Sequence, residues 1–155
     1  MQSVTRLIML ALLLLPLHTM AAEDDDRELA REAIQANKKL VVSANMNLNT
    51  NEKEGFWAVY EDYQKDLEKI LERTVALIED YAVNFENLSD KKAKELLNSH
   101  LKIEADTVKL KKSYLRKFQK VLPAQKVVRY YQIENKIEAI VDYDLVDKIP
   151  LAHKK

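Results

Sequence analysis

Histidine and carboxylate side chains are the residues of this 155-residue chain that could bind a metal ion or transfer protons. His100 and Glu104 are four residues apart, so on a helix they would lie one turn apart and could share one ion. Two ligands do not complete a site, and the chain contains no cysteine and no Glu-x-x-His motif. We therefore expect no metal and no cofactor, and we expect His100 to be a packed, hydrogen-bonded residue.

The sequence lacks the motifs of the common catalytic sites. With one glycine in the chain, a glycine-rich phosphate loop and a G-x-S-x-G nucleophile elbow are excluded. Carboxylates are abundant, but they are interspersed with lysines as on solvated helix faces, for example Glu61 and Asp62 beside Lys65. We predict that the protein is not an enzyme.

Two adjacent aromatic pairs, Phe56-Trp57 and Tyr130-Tyr131, are the most suggestive candidates for a binding surface. Neighbouring residues on a helix point ~100° apart, so one member of each pair is expected in the core and the other at its edge. The pairs either cap the core or form a surface for a client protein or a second copy, since aromatic residues are favoured at interfaces. The candidate binding residues are Phe56, Trp57, Tyr60, Tyr130 and Tyr131.

The segment 109–120, KLKKSYLRKFQK, is strongly basic and allows two interpretations. It could be a patch for nucleic acid or membrane. We favour the alternative that it lies against the acid-rich segment 52–66, with Lys112 and Arg116 facing residues such as Asp62. The formal net charge of zero gives no overall attraction to nucleic acid or to an anionic membrane.

Apolar residues recur every three or four positions over 56–85, which predicts a helix with one apolar face. This stripe consists of Phe56, Tyr60, Tyr63, Leu67, Ile70, Thr74, Leu77 or Ile78, Tyr81 and Phe85. A second helix carries two parallel apolar rows, of which one is Leu97, Leu101, Val108, Leu115, Phe118 and Leu122, and the other is Leu96, Ile103, Leu110, Tyr114 and Val121. Because two rows make a wide face, we expect the last helix to cover part of it and a second copy the rest.

The predicted fold is therefore all-α, with a long antiparallel helical hairpin, a shorter N-terminal helix and a C-terminal helix, assembled as a homodimer. Residues 1–22 are predicted to be a signal peptide, because Arg6 precedes an apolar run that is followed by small residues. The apolar run, residues 7–17, is shorter than the ~20 residues that a bilayer-spanning helix needs. We therefore favour cleavage and a periplasmic location over an uncleaved anchor. The mature part is one domain, which divides into a loosely packed helix and linker (23–47), the hairpin (48–122), a final helix (123–147) and a tail (148–155).

Local signals predict where the helices begin. Asn49 and Glu52 have the spacing of a capping box, and Ser89 is a suitable N-cap for the returning helix. Pro123 is expected at the first position of the final helix, where its missing N–H is not needed. Gly55 lies in the first turns of a helix, which indicates either a close approach by another segment or slack in a fraying turn.

The two helix starts, Leu48-Asn49-Thr50-Asn51-Glu52 and Leu122-Pro123-Ala124-Gln125-Lys126, resemble the LTxxQ motifs of the Spy/CpxP-like periplasmic stress proteins. The first has Asn49 for Thr and Glu52 for Gln, and the second has Pro123 for Thr and Gln125 one position early. The resemblance implies a curved, hairpin-based dimer that acts as a chaperone-like protein or envelope-stress adaptor. It would bind unfolded or signalling proteins without ATP. A periplasmic sensor of a metal or ligand and a structural envelope protein are the alternatives.

Overall fold

Residues 36–146 and 148–152 are described by a computed structural model of the chain. The predicted signal peptide and the first part of the predicted N-terminal helix lie outside these residues. Every regular element within the described residues is helical, which confirms the all-α fold class. The chain divides into two compact units, one up to Asn47 and one from Leu48 onward.

In the first unit, residues 36–46 form a helix, α1. The prediction of a linker within 23–47 is wrong for residues 41–46, because these residues continue the helix. The side-chain amide of Asn45 donates to the carbonyl four residues earlier at 2.8 Å, and Val42 and Met46, one turn apart, are both buried. The helix ends before Asn47, whose φ of 47° lies in the left-handed region that asparagine tolerates.

The second unit contains three helices and one short turn of 3-10 helix. They are α2 (Thr50–Asn84), the 3-10 turn (Phe85–Asn87), α3 (Asp90–Val121) and α4 (Ala124–Val146). Three contacts between side chains join α2 to α3, and they are Asp80–Lys92 (2.6 Å), Arg73–Asp106 (2.8 Å) and Asp66–Tyr114 (2.7 Å). Residues late in α2 therefore contact residues early in α3, and the pairing continues in reverse order along both helices.

The predicted helix starts agree with the structure to within one residue. The Asn49 side chain accepts from the Glu52 backbone N–H at 3.1 Å and the Glu52 carboxylate accepts from the Asn49 N–H at 2.9 Å, which confirms the capping box. Ser89 Oγ accepts from the Lys92 N–H at 3.2 Å and caps α3 as predicted. Pro123 lies one residue before α4 rather than at its first position, and its carbonyl accepts the first helical hydrogen bonds.

Gly55 marks a close approach between the start of α2 and the end of α3. A Cβ at this position would lie 3.0 Å from Cγ1 and 3.2 Å from Cβ of Val121. Of the two explanations that the sequence leaves open, the structure therefore supports the close approach. The missing side chain lets the two helices meet where a larger residue would force them apart.

The apolar stripes are buried unequally. On α2, the first five members of the predicted stripe are buried, and they are Phe56, Tyr60, Tyr63, Leu67 and Ile70. On α3, the buried residues are Leu96, Ile103, Tyr114 and Phe118. Four members of the other row of α3 are exposed, and they are Leu97, Leu101, Val108 and Leu115. Within a single chain the core thus uses one of the two rows predicted for α3, together with Phe118 and Leu122.

Candidate functional site

An aromatic cluster fills the part of the core where α2, α3 and α4 contribute side chains together. Its members are Phe56, Trp57, Tyr60, Tyr63, Tyr114, Phe118, Tyr130 and Tyr131. Tyr130 lies near its centre, with its ring 4.5 Å from Phe118 and 5.3 Å from Phe56 between centroids. Edge-to-face and tilted contacts of this kind add to the stabilisation that burial of the rings provides.

The structure separates the five candidate binding residues into two groups. Phe56, Tyr60 and Tyr130 are buried and contact other rings of the cluster, so they serve the core of the fold. Trp57 and Tyr131 are half-buried at its edge. Each adjacent pair is therefore split between core and edge, as its ~100° separation predicts. Only the edge residues present any surface to a partner.

Polar groups lie inside the cluster, around the Glu134 carboxylate, which is 1% exposed. The Gln64 side-chain amide lies 3.4 Å from Glu134 Oε1 and 3.4 Å from the Tyr130 hydroxyl. Burial, and secondarily the charge of Glu134, raises the pKa of the Tyr60 and Tyr130 hydroxyls well above the usual range. The sequence pattern places Glu134 on the core side of the last helix, but nothing local identifies it as a buried acid.

A second polar contact joins the two helix starts that carry the LTxxQ-like motifs. The Lys126 ammonium, in the first turn of α4, forms an ion pair with the Glu52 carboxylate, which also closes the capping box of α2. The hydrogen bond from Lys126, followed by that from the Asn49 backbone, lowers the pKa of Glu52. Each start can be predicted from its own sequence signals, but this pairing cannot, since the two residues are 74 positions apart.

His100 and Glu104 do not form a buried site. The His100 Nε2 atom lies 3.6 Å from Glu104 Oε1, and the two side chains are 57% and 60% exposed. The expectation that His100 is packed is therefore wrong, since more than half of its side chain is exposed. Within residues 36–146 and 148–152, no group of three or more histidine or carboxylate side chains could hold a metal ion.

The basic segment of α3 does not pair with the acidic start of α2 as expected. Lys112 and Arg116 are exposed, and neither forms an ion pair with any described residue. The position facing Asp62 and Asp66 is occupied by Tyr114, whose hydroxyl lies 3.1 Å from the Asp62 carbonyl oxygen. The segment 109–120 thus lies against 52–66 as expected, but the expected pairing of Lys112 and Arg116 with the acids of α2 is wrong, and neither charge is paired within the described residues.

The exposed apolar row of α3, Leu97, Leu101, Val108 and Leu115, is the most regular apolar surface feature of the second unit. Its members are 58, 52, 50 and 37% exposed. The last three recur every seven residues, which keeps them on one line along the helix. We call these four residues the apolar row.

None of the helices within the described residues is both long enough and apolar enough to cross a membrane. Comparison of the chain with protein-family models, with curated proteins and with solved structures finds no match.

Proposed function

We propose that the protein is an exported, non-enzymatic helical protein of the periplasm that binds unfolded or signalling proteins without ATP. It would act as a chaperone-like protein or as an envelope-stress adaptor. The observation that carries this proposal is the apolar row. Four large apolar side chains in line on a helix of mixed charge provide a surface for weak, reversible protein contacts.

The arrangement of the helices supports the same proposal. The reversed order of contacts between α2 and α3 agrees with a hairpin, and the resemblance of both helix starts to LTxxQ motifs implies small periplasmic stress proteins. The ion pair between Glu52 and Lys126 gives those two starts a shared structural role. We propose the hairpin as the scaffold that presents the apolar row to a partner.

The row also suits a second copy of the chain, which is why we propose a homodimer. A row with a seven-residue period is the pattern by which helices pack side by side. Either a second copy or an unfolded chain would cover it, and the two occupants can be separated by experiment.

The test is aggregation of a denatured model protein, followed by light scattering, with and without the purified protein lacking residues 1–22. We expect suppression near stoichiometric ratios. Substitution of Leu101 and Val108 by serine should weaken suppression severalfold, because it removes the centre of the apolar row. The matched control replaces Val83 and Val128 by serine. Both are exposed but lie outside the apolar row, so suppression should be unchanged.

Two outcomes would count against the chaperone-like function. One is an absence of suppression over a broad range of concentrations, which would favour a dedicated sensor or adaptor. The other is equal loss in both double variants, which would mean that the apolar row has no special role. The molar mass in solution, measured by light scattering on the same variants, tests the homodimer.

A further inference from the structure

The structure separates charge by helix, although the whole chain is neutral. Helix α2 carries nine acidic and four basic residues, a net charge of −5, and α3 carries four acidic and ten basic residues, a net charge of +6. The net charge of the whole chain therefore does not describe α3. A local excess of this size creates a positive field over one helix of a neutral molecule.

Seven basic side chains of α3 lie on its outward face and form a basic stripe. They are Lys91, Lys94, Lys102, Lys109, Lys112, Arg116 and Lys120, and all seven are exposed. At ~100° per residue they fall within a sector of about 80°, and at 1.5 Å per residue they extend over about 44 Å. The four acidic residues of α3 fall outside this sector.

The basic stripe is not neutralised within the described part of the chain. Lys91 lies 3.9 Å from Glu95, and the other six members form no ion pair with a described residue. Of the acids on α3, Asp106 is paired with Arg73 of α2, and Glu104 lies beside His100. The positive charges of the stripe are therefore available to an external anion.

We propose that the basic stripe is a docking surface for an anionic phospholipid membrane. A small anion would require several basic groups that converge on one point, whereas these charges follow a nearly straight line that suits an extended, flat array of phosphate groups. The apolar row lies along the adjacent sector of the same helix, where its leucines can reach the interface between headgroups and acyl chains. This combination favours a membrane surface over nucleic acid.

Membrane docking in this form is peripheral and requires no spanning helix. Attraction between a basic helix face and anionic lipids is electrostatic, so it weakens as salt concentration rises. The inference goes beyond the proposed protein-binding function because it is carried by the basic stripe, although a membrane and a protein partner would both contact the apolar row.

The test is co-sedimentation of the purified protein with phosphatidylglycerol–phosphatidylcholine vesicles and with pure phosphatidylcholine vesicles. The measured quantity is the additional binding that phosphatidylglycerol produces. The variant K109Q/K112Q/R116Q removes three charges from the basic stripe. The control K53Q/K65Q/K136Q removes the same charge from exposed lysines of α2 and α4. Circular dichroism verifies that both variants remain helical.

We expect the wild-type protein to show additional binding that falls with salt. The stripe variant should lose about tenfold or more in affinity, and the control less than about twofold. Equal losses in both variants would overturn the proposal, because net charge alone would then explain binding, and so would the absence of any additional binding to phosphatidylglycerol. Loss of duplex DNA binding by the stripe variant, with vesicle binding intact, would overturn it in favour of nucleic acid.

Discussion

Two tyrosines that face each other across α2 and α3 have opposite hydrogen-bonding situations. The rings of Tyr63 and Tyr114 lie 5.2 Å apart between centroids. The Tyr114 hydroxyl lies 2.7 Å from Asp66 Oδ2 and 3.1 Å from the Asp62 carbonyl oxygen, so its proton has an acceptor. The Tyr63 hydroxyl is buried and has no hydrogen-bond partner among the described residues. A buried polar group in this situation costs about 1–3 kcal/mol of stability.

Replacement of each tyrosine by phenylalanine should therefore change stability in opposite directions. We expect Tyr63→Phe to raise the free energy of unfolding by about 1 kcal/mol, because it removes an unsatisfied hydroxyl without altering the ring. Tyr114→Phe should lower it by about 1–2 kcal/mol, since it removes a hydrogen bond to a carboxylate. Urea unfolding, followed by the fluorescence of Trp57, measures both. A loss of stability in both variants would contradict the conclusion that the Tyr63 hydroxyl has no hydrogen-bond partner.

At the scale of the helices, the most informative contact is the one that joins the starts of α2 and α4. Glu52 closes the capping box of α2 and pairs with Lys126, so a single carboxylate fixes the first turns of two helices. In the folded protein the pKa of Glu52 is lowered from its ordinary value of 4.5, first by the hydrogen bond from Lys126. A lowered pKa means that the contribution to stability is present above pH 4.5 and is lost as pH falls through the folded pKa.

Glu52→Gln should accordingly destabilise the protein at pH 7, with a difference that shrinks as the pH is lowered below 4.5. In acid the wild-type carboxyl is protonated and resembles the amide of the variant. Urea midpoints at pH 7, 5 and 3 would show this convergence. Glu54→Gln, at an exposed position two residues later, serves as the control and should match the wild type throughout. A constant difference between Glu52→Gln and the wild type at all pH values would refute the role of the charge.

Local sequence signals are sufficient to predict some features of these helices and insufficient to predict others. The caps at Asn49 and Ser89 could be predicted because an N-cap is decided within three or four residues. Periodicity could define two apolar rows on α3 but not which row faces the core. That choice depends on contacts from other helices, such as the bond between Tyr114 and Asp66. The ion pair at Glu52 could not be predicted either, since its partner is distant in sequence.

In the candidate site, too, some features can be predicted from the sequence and others cannot. Alternation between core and edge at Phe56 and Trp57 follows from helix geometry alone. Lys112 and Arg116 lie level with the acidic start of α2 as expected, but on the exposed side of α3, and Tyr114 between them occupies the facing position. Side chains on neighbouring helices compete for the same acceptors, and one sequence does not reveal which of them succeeds.

For the whole molecule, the buried tyrosines make alkaline stability a collective property of the core. Burial is the first cause that raises the pKa of Tyr60, Tyr63, Tyr114, Tyr130 and Tyr131 above the ordinary value of 10.0. For Tyr131, at the edge of the cluster, the pKa rises to about 12. The charge of Glu134 is the second cause for four of the five, since it opposes a phenolate nearby.

These shifts predict a steep loss of stability above pH 10. A group whose pKa is raised by folding contributes stability that is present below its unfolded pKa and is lost as pH rises toward the folded pKa, because only the unfolded state releases the proton. Each such tyrosine removes about 1.4 kcal/mol per pH unit in that interval, so the five together can exceed the stability of a small domain within one or two pH units. Circular dichroism and the phenolate absorbance of these five tyrosines, recorded together from pH 9 to about pH 12, should therefore change in one shared cooperative transition. Tyr143→Phe alters an exposed tyrosine and should leave the transition in place. Phenolate absorbance that is complete before any helix is lost would show that the cluster is open to solvent and would contradict the packing described for it.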